Sequence, residues 1–306
     1  MLRTRARTAV QIAAVGLLAT VAACAKKEPP AAAAPATEST ASATQPSAQA
    51  DALVSSVNGD WRSADDKSRD VYRHPVEALQ FWGLEPGMTI LEVQPGGGWW
   101  TEILAPYARA TGGQFYATGA DLNNPEISEA ARKARADFEA RFAAKPEVYG
   151  EVKVVNFGAK SAPLPENTFD FILTARSVHG WMGQGMTEKV FKDLYGALKP
   201  GGTLALEQHR ANPGAQDPKA PTGYVTEAYV IEQARKAGFE LVERSEINAN
   251  PKDTKDHPFG VWTLPPTKST SNGDKPDPNF DRSKYDAIGE SDRMTLKFRK
   301  PAAAAS

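Results

Sequence analysis

Three consecutive glycines lie between two acidic residues, and this segment has the clearest potential for chemistry. Gly96, Gly97 and Gly98 follow a short apolar run that carries Glu92, and Asp121 comes after the next apolar run. Glycines let backbone N–H groups approach a ligand at a helix N-terminus, and an acid at the following strand end accepts ribose hydroxyls. The spacing therefore predicts a nucleoside-binding turn. The alternative is a tight turn in some other α/β protein.

A second group of reactive side chains follows the fourth and fifth predicted strands. Arg176 and His179 come after the fourth strand, and His209 ends the fifth. Ligands of open parallel sheets gather at the carboxyl ends of the strands, where a histidine is suited to remove a proton from an acceptor. We predict these three residues as catalytic, with His179 as the base.

Two other uses of the histidines remain open. They could hold loops by hydrogen bonds, or they could form a metal site with Glu207 or Asp256. No local spacing typical of metal ligands accompanies them, so we predict no metal.

The elements that must position the glycines form a βαβ unit. Met88–Val93 is an apolar run between two Pro-Gly pairs, which predicts a buried strand. Trp99–Arg109 has the apolar spacing of a helix, and Gln114–Ala120 predicts a second strand. The nicotinamide fingerprint is absent because no glycine or alanine takes its third place, and no phosphate-binding loop ending in Gly-Lys-Ser/Thr is present.

The turn resembles motif I of the class I S-adenosylmethionine-dependent methyltransferases, an acid followed by x-G-x-G-x-G. Here it is Glu92-Val93-Gln94-Pro95-Gly96-Gly97-Gly98, in which Gln94 replaces the first glycine. Three later segments resemble the fourth strand, the turn into the fifth strand and the entry to the sixth: Asn167–Leu173, Leu198–Leu204 and Ala237–Phe239. More narrowly, the chain is similar to a little-studied group of bacterial predicted methyltransferases in its Arg69–Pro75, Pro95–Trp99 and Met294–Phe298 segments.

This resemblance implies a fold, a cofactor and a binding site. The fold is an α/β, Rossmann-like, seven-stranded, mostly parallel sheet with helices on both faces and an antiparallel last strand. The cofactor is S-adenosyl-L-methionine, with Asp121 on the ribose and Phe157 either stacked on adenine or part of the core. The full predicted set is Glu92, Gln94, Pro95, Gly96, Gly97, Gly98, Asp121 and Phe157.

Two predicted helices flank these motifs. Asp65–Trp82 precedes the first strand, contains Pro75 near a kink or break, and by resemblance lies over the cofactor pocket. Glu126–Ala144 is amphipathic and rich in alanine, arginine and glutamate, which predicts a solvent-facing scaffold helix.

The N-terminal segment predicts export and lipidation. Residues 1–23 combine three arginines with an apolar stretch and small residues before Cys24, the pattern of a signal peptide. Cys24 is the only cysteine and stands where bacterial lipoproteins, by resemblance, are cut and acylated. Ala25 resembles the signal for the outer membrane, so we predict a lipid anchor facing the periplasm. An ordinary signal peptide with a chance cysteine is the alternative.

The rest of the chain divides into a tether and one domain. Residues 24–56 predict a flexible tether rich in Ala, Pro, Ser and Thr, and residues 57–301 predict the methyltransferase-like domain. A lid-like insertion spans 248–290, and 302–306 form a tail. The chain has 36 basic and 37 acidic residues without a basic cluster, so nucleic acid is not an expected partner.

Together these features predict methyl transfer to a small-molecule acceptor by a membrane-tethered lipoprotein. The cofactor is not expected to be abundant in the periplasm. A lipoprotein that binds a nucleoside or S-adenosylmethionine without catalysis is therefore the alternative, and a hydrolase or lyase on the same scaffold is a third possibility. The sequence carries no signal for an oligomeric state.

Overall fold

The computed structural model describes residues 45–272 and 275–302, which contain a single seven-stranded sheet. The strand order is β3-β2-β1-β4-β5-β7-β6. Neighbours among β1 to β5 run parallel, whereas β7 runs antiparallel to both β5 and β6. The predicted fold class is thereby confirmed. The strands are β1 Thr89–Val93, β2 Gln114–Ala120, β3 Val152–Phe157, β4 Phe169–Ala175, β5 Leu198–His209, β6 Glu240–Ser245 and β7 Arg293–Arg299.

Helices cover both faces of this sheet. The α-helices are α1 Gln45–Val57, α2 Ala64–Ser68, α3 Asp70–Arg73, α4 Pro75–Trp82, α5 Thr101–Ala110, α6 Glu129–Ala143, α7 Pro146–Tyr149, α8 Val178–Gly183, α9 Thr187–Ala197, α10 Glu227–Ala237 and α11 Ser283–Ile288, and Gly260–Thr263 is a 3₁₀ helix. Successive strand residues point to opposite faces, so Ile90 joins one apolar cluster and Leu91 the other. Both faces are buried, which explains why β1 and β4 are mostly apolar.

Helix α1 occupies part of the segment predicted as a tether. It begins at Gln45, and its Leu53 and Val57 are buried in the same cluster as Ile103 of α5. The prediction of a flexible tether over 24–56 is therefore wrong from residue 45 onward, because these apolar side chains find a partner far along the chain. The predicted signal peptide, Cys24, residues 24–44 and most of the tail lie outside the described residues.

The predicted leading helix is divided into three short helices. His74 has a φ of 42°, and Pro75 begins α4 at its first position. The residue before a proline is disfavoured in the helical region, so the break occurs where the sequence predicted it. The break lets α3 approach the end of the insertion independently of α4.

The insertion over 248–290 is held by hydrogen bonds to a buried carboxylate. Asp253 accepts hydrogen bonds from the hydroxyl of Tyr224 at 3.0 Å, from Nε2 of His257 at 2.8 Å and from the backbone N–H of Asp292 at 2.8 Å. These bonds tie the insertion to the loop before α10 and to the start of β7. Trp262 in its 3₁₀ helix consequently reaches the carboxyl edge of the sheet.

One glycine of the predicted turn is required by helix packing. Gly98 has a φ of 82°, and a Cβ built on it would lie 2.7 Å from the ring of Phe142 at the end of α6. Gly97 has no such restriction, because a Cβ there would meet nothing within 4 Å. A side chain is therefore excluded at Gly98 by Phe142 but has space at Gly97.

We expect Gly98→Ala to lower the free energy of unfolding by about 2–4 kcal/mol, from the positive φ and the overlap with Phe142. Gly97→Ala is the matched control and should change it by less than about 1 kcal/mol. Urea unfolding followed by circular dichroism measures both values. Equal losses in the two variants would contradict the packing argument.

Candidate functional site

Two cavities meet at the loop that follows β1. Cavity 1 has a volume of about 380 Å³ and cavity 2 of about 410 Å³. Cavity 1 is lined by Asp66, Arg69, Glu92–Gly97, Trp99, Trp100, Ala175–Ser177, His179, His209, Val261, Trp262 and Pro265–Thr267. Cavity 2 is lined by Gln94–Gly96, Thr118–Ala120, Ala131, Ala134, Arg135, Phe138, Val154, Phe157, Gly158, Gln184 and Met186. Gln94, Pro95 and Gly96 therefore border both cavities.

Gln94 takes the backbone conformation that motif I assigns to a glycine. Its φ is 52°, in the left-handed region that disfavours most side chains. Two hydrogen bonds hold it: its N–H donates to Oγ1 of Thr118 at 2.8 Å, and its Oε1 accepts from Nε1 of Trp181 at 2.7 Å. Gln94 therefore replaces the first glycine of the motif without changing the backbone path of the loop.

Glu92 ends deep in cavity 1 as a buried acid. Its side chain accepts a hydrogen bond from Oγ1 of Thr101 at 2.5 Å, and the residue is 3% exposed. Burial raises the pKa of Glu92 to about 8, against the opposing effects of the Thr101 hydrogen bond and the charge of Arg176. Near neutral pH the carboxyl is therefore mostly protonated.

Two predicted cofactor residues line neither cavity. Gly98 faces Phe142, so the structure gives it a packing role in place of a direct ligand contact. Asp121 follows the last lining residue of β2 and accepts a hydrogen bond from the N–H of Asn123 at 3.0 Å. A Cβ on Gly158, which lines cavity 2, would lie 3.9 Å from the Asp121 Cβ. Asp121 therefore stands beside the rim of cavity 2.

Away from the loop Gln94–Gly96, cavity 2 is lined by one further predicted residue, Phe157, and by one that was missed, Arg135. Phe157 also belongs to the apolar core, and its stacking on adenine stays a prediction. Arg135 of α6 donates from Nη1 to the carbonyl of Ala120 at 2.8 Å and to Oδ1 of Asn156. The prediction that α6 only faces solvent is wrong, because its alanines and Arg135 form a wall of cavity 2.

The three predicted catalytic residues do come together, at the far side of cavity 1. The rings of His179 and His209 have centroids 5.7 Å apart, and both residues line the cavity with Arg176. Burial lowers the pKa of His179, and the charge of Arg176 lowers it further, while the Gln208 hydrogen bond opposes both. Burial, followed by Arg176, also holds the pKa of His209 well below its usual value. Both rings are therefore neutral at pH 7.

A hydrogen bond from Gln208 selects the tautomer of His179. The Gln208 Oε1 accepts from the N–H of Val178 at 3.1 Å, and its Nε2 donates to the carbonyl of Gly223 at 2.9 Å. The same Nε2 lies 3.2 Å from Nδ1 of His179, which must therefore accept. The neutral ring then carries its proton on Nε2, so Nε2 donates a hydrogen bond. His179 is the residue predicted as the base. To accept a proton at Nε2, its ring would need the other tautomer.

Comparison with known families identifies the domain to which these cavities belong. Residues 91–206 match the family model described as "Methyltransferase domain". This range carries the loop shared by the two cavities and the strand ends around it. The chain has a class I methyltransferase domain. The resemblance predicted from the motifs is thereby confirmed, and S-adenosyl-L-methionine agrees with it as the cofactor of the domain.

Individual relatives match the methyltransferase domain over part of their length. The ubiquinone/menaquinone biosynthesis C-methyltransferase UbiE of Citrobacter koseri is 30% identical over 124 residues, which cover 40% of this chain and 43% of that relative. The chain thus spans less than half the length of this curated relative. Among solved structures, the (4+2)-cyclase SpnF is 19% identical with a TM-score of 0.50, covering 84% of this chain and 94% of its own. That likeness shows the fold.

A buried ion network closes the methyltransferase domain behind cavity 1. Nη1 of Arg293 lies 3.1 Å from Oε1 of Glu207 and 3.0 Å from Oε2 of Glu290, and Arg73 and Arg69 each donate from Nε to Glu290 at 2.9 Å. Burial raises the pKa of Glu290, but the charges of Arg293, Arg73 and Arg176 outweigh it and lower the pKa to about 2. The sequence analysis did not identify Arg293 and Glu290. The feature that could have indicated them is the run of four polar residues 290–293 at the start of the last strand.

The alternative metal site is not assembled among the residues that the structure describes. No group of three or more His, Cys, Asp or Glu side chains there could hold a metal ion. Glu207 is bonded by Arg293, and Asp256 bonds the hydroxyl of Thr254. Over the same described ranges, none of the helices has the length and apolar character required to cross a membrane.

The buried acid Glu92 should make the stability of the domain depend on pH. Its pKa is about 8 in the folded chain and 4.5 as a reference value, so the folded state binds more protons between these limits. The free energy of unfolding therefore falls as pH rises through this window, by at most about 1.4 kcal/mol per pH unit. Glu92→Gln should remove this slope, so that its stability relative to wild type increases from pH 5 to pH 8.

Urea unfolding at pH 5, 6, 7 and 8 measures the effect, with Glu147→Gln on the exposed surface as the control that keeps the wild-type slope. An unchanged pH slope in Glu92→Gln would show that this carboxyl does not stay protonated in the folded chain.

Proposed function

We propose that the protein transfers a methyl group from S-adenosylmethionine to a small-molecule acceptor bound in cavity 1. The observation that carries the proposal is the loop Gln94–Gly96, which borders two adjoining cavities at the carboxyl edge of a methyltransferase sheet. A ligand lying across this loop would extend from cavity 2 into cavity 1. Its reactive end would then face the cluster of Arg176, His179 and His209.

The residues present fit this cofactor. A Cβ on Gly96 or Gly97 would meet nothing within 4 Å, so the loop offers open backbone to a ligand. Cavity 2 supplies small side chains, the ring of Phe157 and the nearby carboxylate of Asp121 for an adenosyl group. Glu92 lies on the cavity 1 side of the loop, where an acceptor of hydrogen bonds can meet the amino-acid end.

The cofactor, when bound, supplies an already activated methyl group on a sulfonium. The task of this chain is then alignment, which contributes up to about 7–11 kcal/mol in favourable reactions. Val261 and Trp262 of the insertion line cavity 1. Thr101 and Gln94 keep the loop in place through the hydrogen bonds described above.

We expect Asp121→Ala to weaken binding of S-adenosylhomocysteine, the demethylated cofactor, by about 10- to 100-fold. The physical reason is the loss of charge-assisted hydrogen bonds to the ribose, worth about 1.5–3 kcal/mol. Isothermal titration calorimetry measures the dissociation constant. Asp137→Ala, which removes an exposed carboxylate from α6, is the matched control and should bind like wild type.

Two results of these titrations would change the proposal. If the wild-type chain does not bind S-adenosylmethionine or its demethylated form, methyl transfer is excluded. If it binds both tightly, yet transfers no methyl group to a broad acceptor panel, the non-catalytic binding lipoprotein becomes the better description.

We further propose that the chain is a lipoprotein anchored through Cys24 and facing the periplasm, with the outer membrane as its destination. The support is the arrangement of arginines, apolar stretch and small residues before the only cysteine. Stable anchoring requires more than one acyl chain, which modification at this cysteine provides in bacterial lipoproteins.

In a Gram-negative host, Cys24→Ala should abolish incorporation of labelled palmitate and release the protein from the membrane fraction. Ala25→Asp is the matched control, since it keeps the cysteine; it should retain the label and move to the inner membrane. Membrane fractionation with autoradiography measures both. Palmitate labelling of Cys24→Ala would contradict the anchor.

A further inference from the structure

The guanidinium of Arg176 faces cavity 1 without a hydrogen-bond partner. Its closest carboxylate oxygen, Oε1 of Glu207, lies 4.0 Å from Nε, beyond hydrogen-bond distance. The Nε atom is fully buried, and neither it nor Nη1 or Nη2 bonds to any residue that the structure describes. The backbone of Arg176 also takes an unfavourable φ of 59° at the end of β4. The chain therefore leaves the buried Nε without a partner, while the side chain as a whole is 24% exposed and lines cavity 1.

A guanidinium that lines a cavity without a hydrogen-bond partner favours binding of an anionic ligand. Arginine has five N–H donors in a planar fork, and a donor that is removed from water without a partner costs about 1–3 kcal/mol. A carboxylate matches the fork with two parallel hydrogen bonds, so a ligand of that kind would recover the cost.

The carboxylates near Arg176 are hydrogen-bonded to other residues. Glu207 is bonded to Arg293, and Glu290 is shared by Arg69, Arg73 and Arg293. The other acids that line the cavity do not compensate: Glu92 is bonded to Thr101, and Asp66 pairs with Arg69 at 3.6 Å and accepts from Ser63. Four arginines thus surround two buried glutamates at this end of the cavity. The local excess is positive.

A second donor and an aromatic ring line the same cavity as the guanidinium. His179 presents its Nε2–H, which has no partner among the described residues, because Gln208 holds its Nδ1 as an acceptor. The ring of Trp262 also lines the cavity and packs edge-on to His179 with centroids 5.8 Å apart. An aromatic side chain in a binding cavity favours a planar ligand body.

We propose that cavity 1 selects a small planar carboxylic acid as the acceptor, with its carboxylate held by Arg176 and by the Nε2–H of His179. This inference rests on the proposed function and adds the chemical class of the acceptor. In this arrangement Gln208 is a positioning residue, since it acts only through the tautomer of His179. His179 acts as a hydrogen-bond donor to the carboxylate of the acceptor.

The test uses the full chain saturated with S-adenosylhomocysteine, titrated with benzoate and with benzamide, its neutral counterpart of the same shape. Benzoate should bind at least tenfold more tightly than benzamide, measured by an NMR titration that follows the ring-proton signals of the ligand in every variant. Arg176→Gln should weaken benzoate binding at least tenfold and remove the preference. Arg176→Lys keeps the positive charge but lacks the planar fork of donors. Its affinity for benzoate should therefore lie between those of wild type and Arg176→Gln.

The controls separate this inference from the proposed function. Arg132→Gln removes an exposed arginine from α6 and should bind benzoate like wild type. An unchanged melting temperature shows that each variant is folded. If Arg176→Gln loses tenfold or more in its affinity for S-adenosylhomocysteine while its melting temperature is unchanged, the guanidinium holds the cofactor carboxylate and the inference is overturned.

Two further results would overturn it. Equal affinity for benzoate and benzamide in the wild-type chain would show that the cavity does not select charge, and tighter binding of phenyl phosphate would assign it to phosphate. If the wild-type chain fails to bind S-adenosylhomocysteine, the proposed function fails by itself. The same benzoate and benzamide comparison on the cofactor-free chain then still decides whether Arg176 holds a carboxylate.

Discussion

The bridge that Arg293 makes between Glu207 and Glu290 is the constraint on which the site depends. It joins the end of β5, the start of β7 and the end of the insertion, and Arg73 brings α3 to the same point. Buried ions cost several kcal/mol of desolvation each, so such a cluster persists only when its members are paired. Because Glu207 is already bonded by Arg293, Arg176 stays 4.0 Å from it and forms an ion pair without a hydrogen bond. The lack of a hydrogen-bond partner for Arg176 is thus a consequence of how the scaffold is closed.

The features that the sequence predicted well are those in which local pattern and topology agree. The apolar run of β1, the glycine turn, α5 and β2 are contiguous, and the parallel sheet brings the ends of β4 and β5 beside them. For that reason Arg176, His179 and His209 could be assigned to one edge of the sheet from their places in the sequence alone. The break before Pro75 followed from the restricted backbone of the residue that precedes it.

The features that were missed depend on contacts between distant parts of the chain. Arg135 lies on a helix whose composition indicates solvent exposure, and its role at cavity 2 arises only from the crossing of α6 over the ends of β2 and β3. Leu53 belongs to the segment predicted as a tether, and its burial depends on α5. The hydrogen bond from Gln208 to His179 likewise could not be read from spacing, although it determines which nitrogen carries the proton.

The antiparallel strand β7 lies inside the sheet, although it is the last strand along the chain. It pairs with β5 on one side and with β6 on the other, and Nε1 of Trp82 donates to its Leu296 carbonyl at 3.0 Å. Until residues 293–299 have been synthesised, β6 has no neighbour in the sheet, and Glu207 lacks Arg293. Contacts this distant in sequence form slowly. The sheet of the domain is therefore complete only after residues 293–299 have been made.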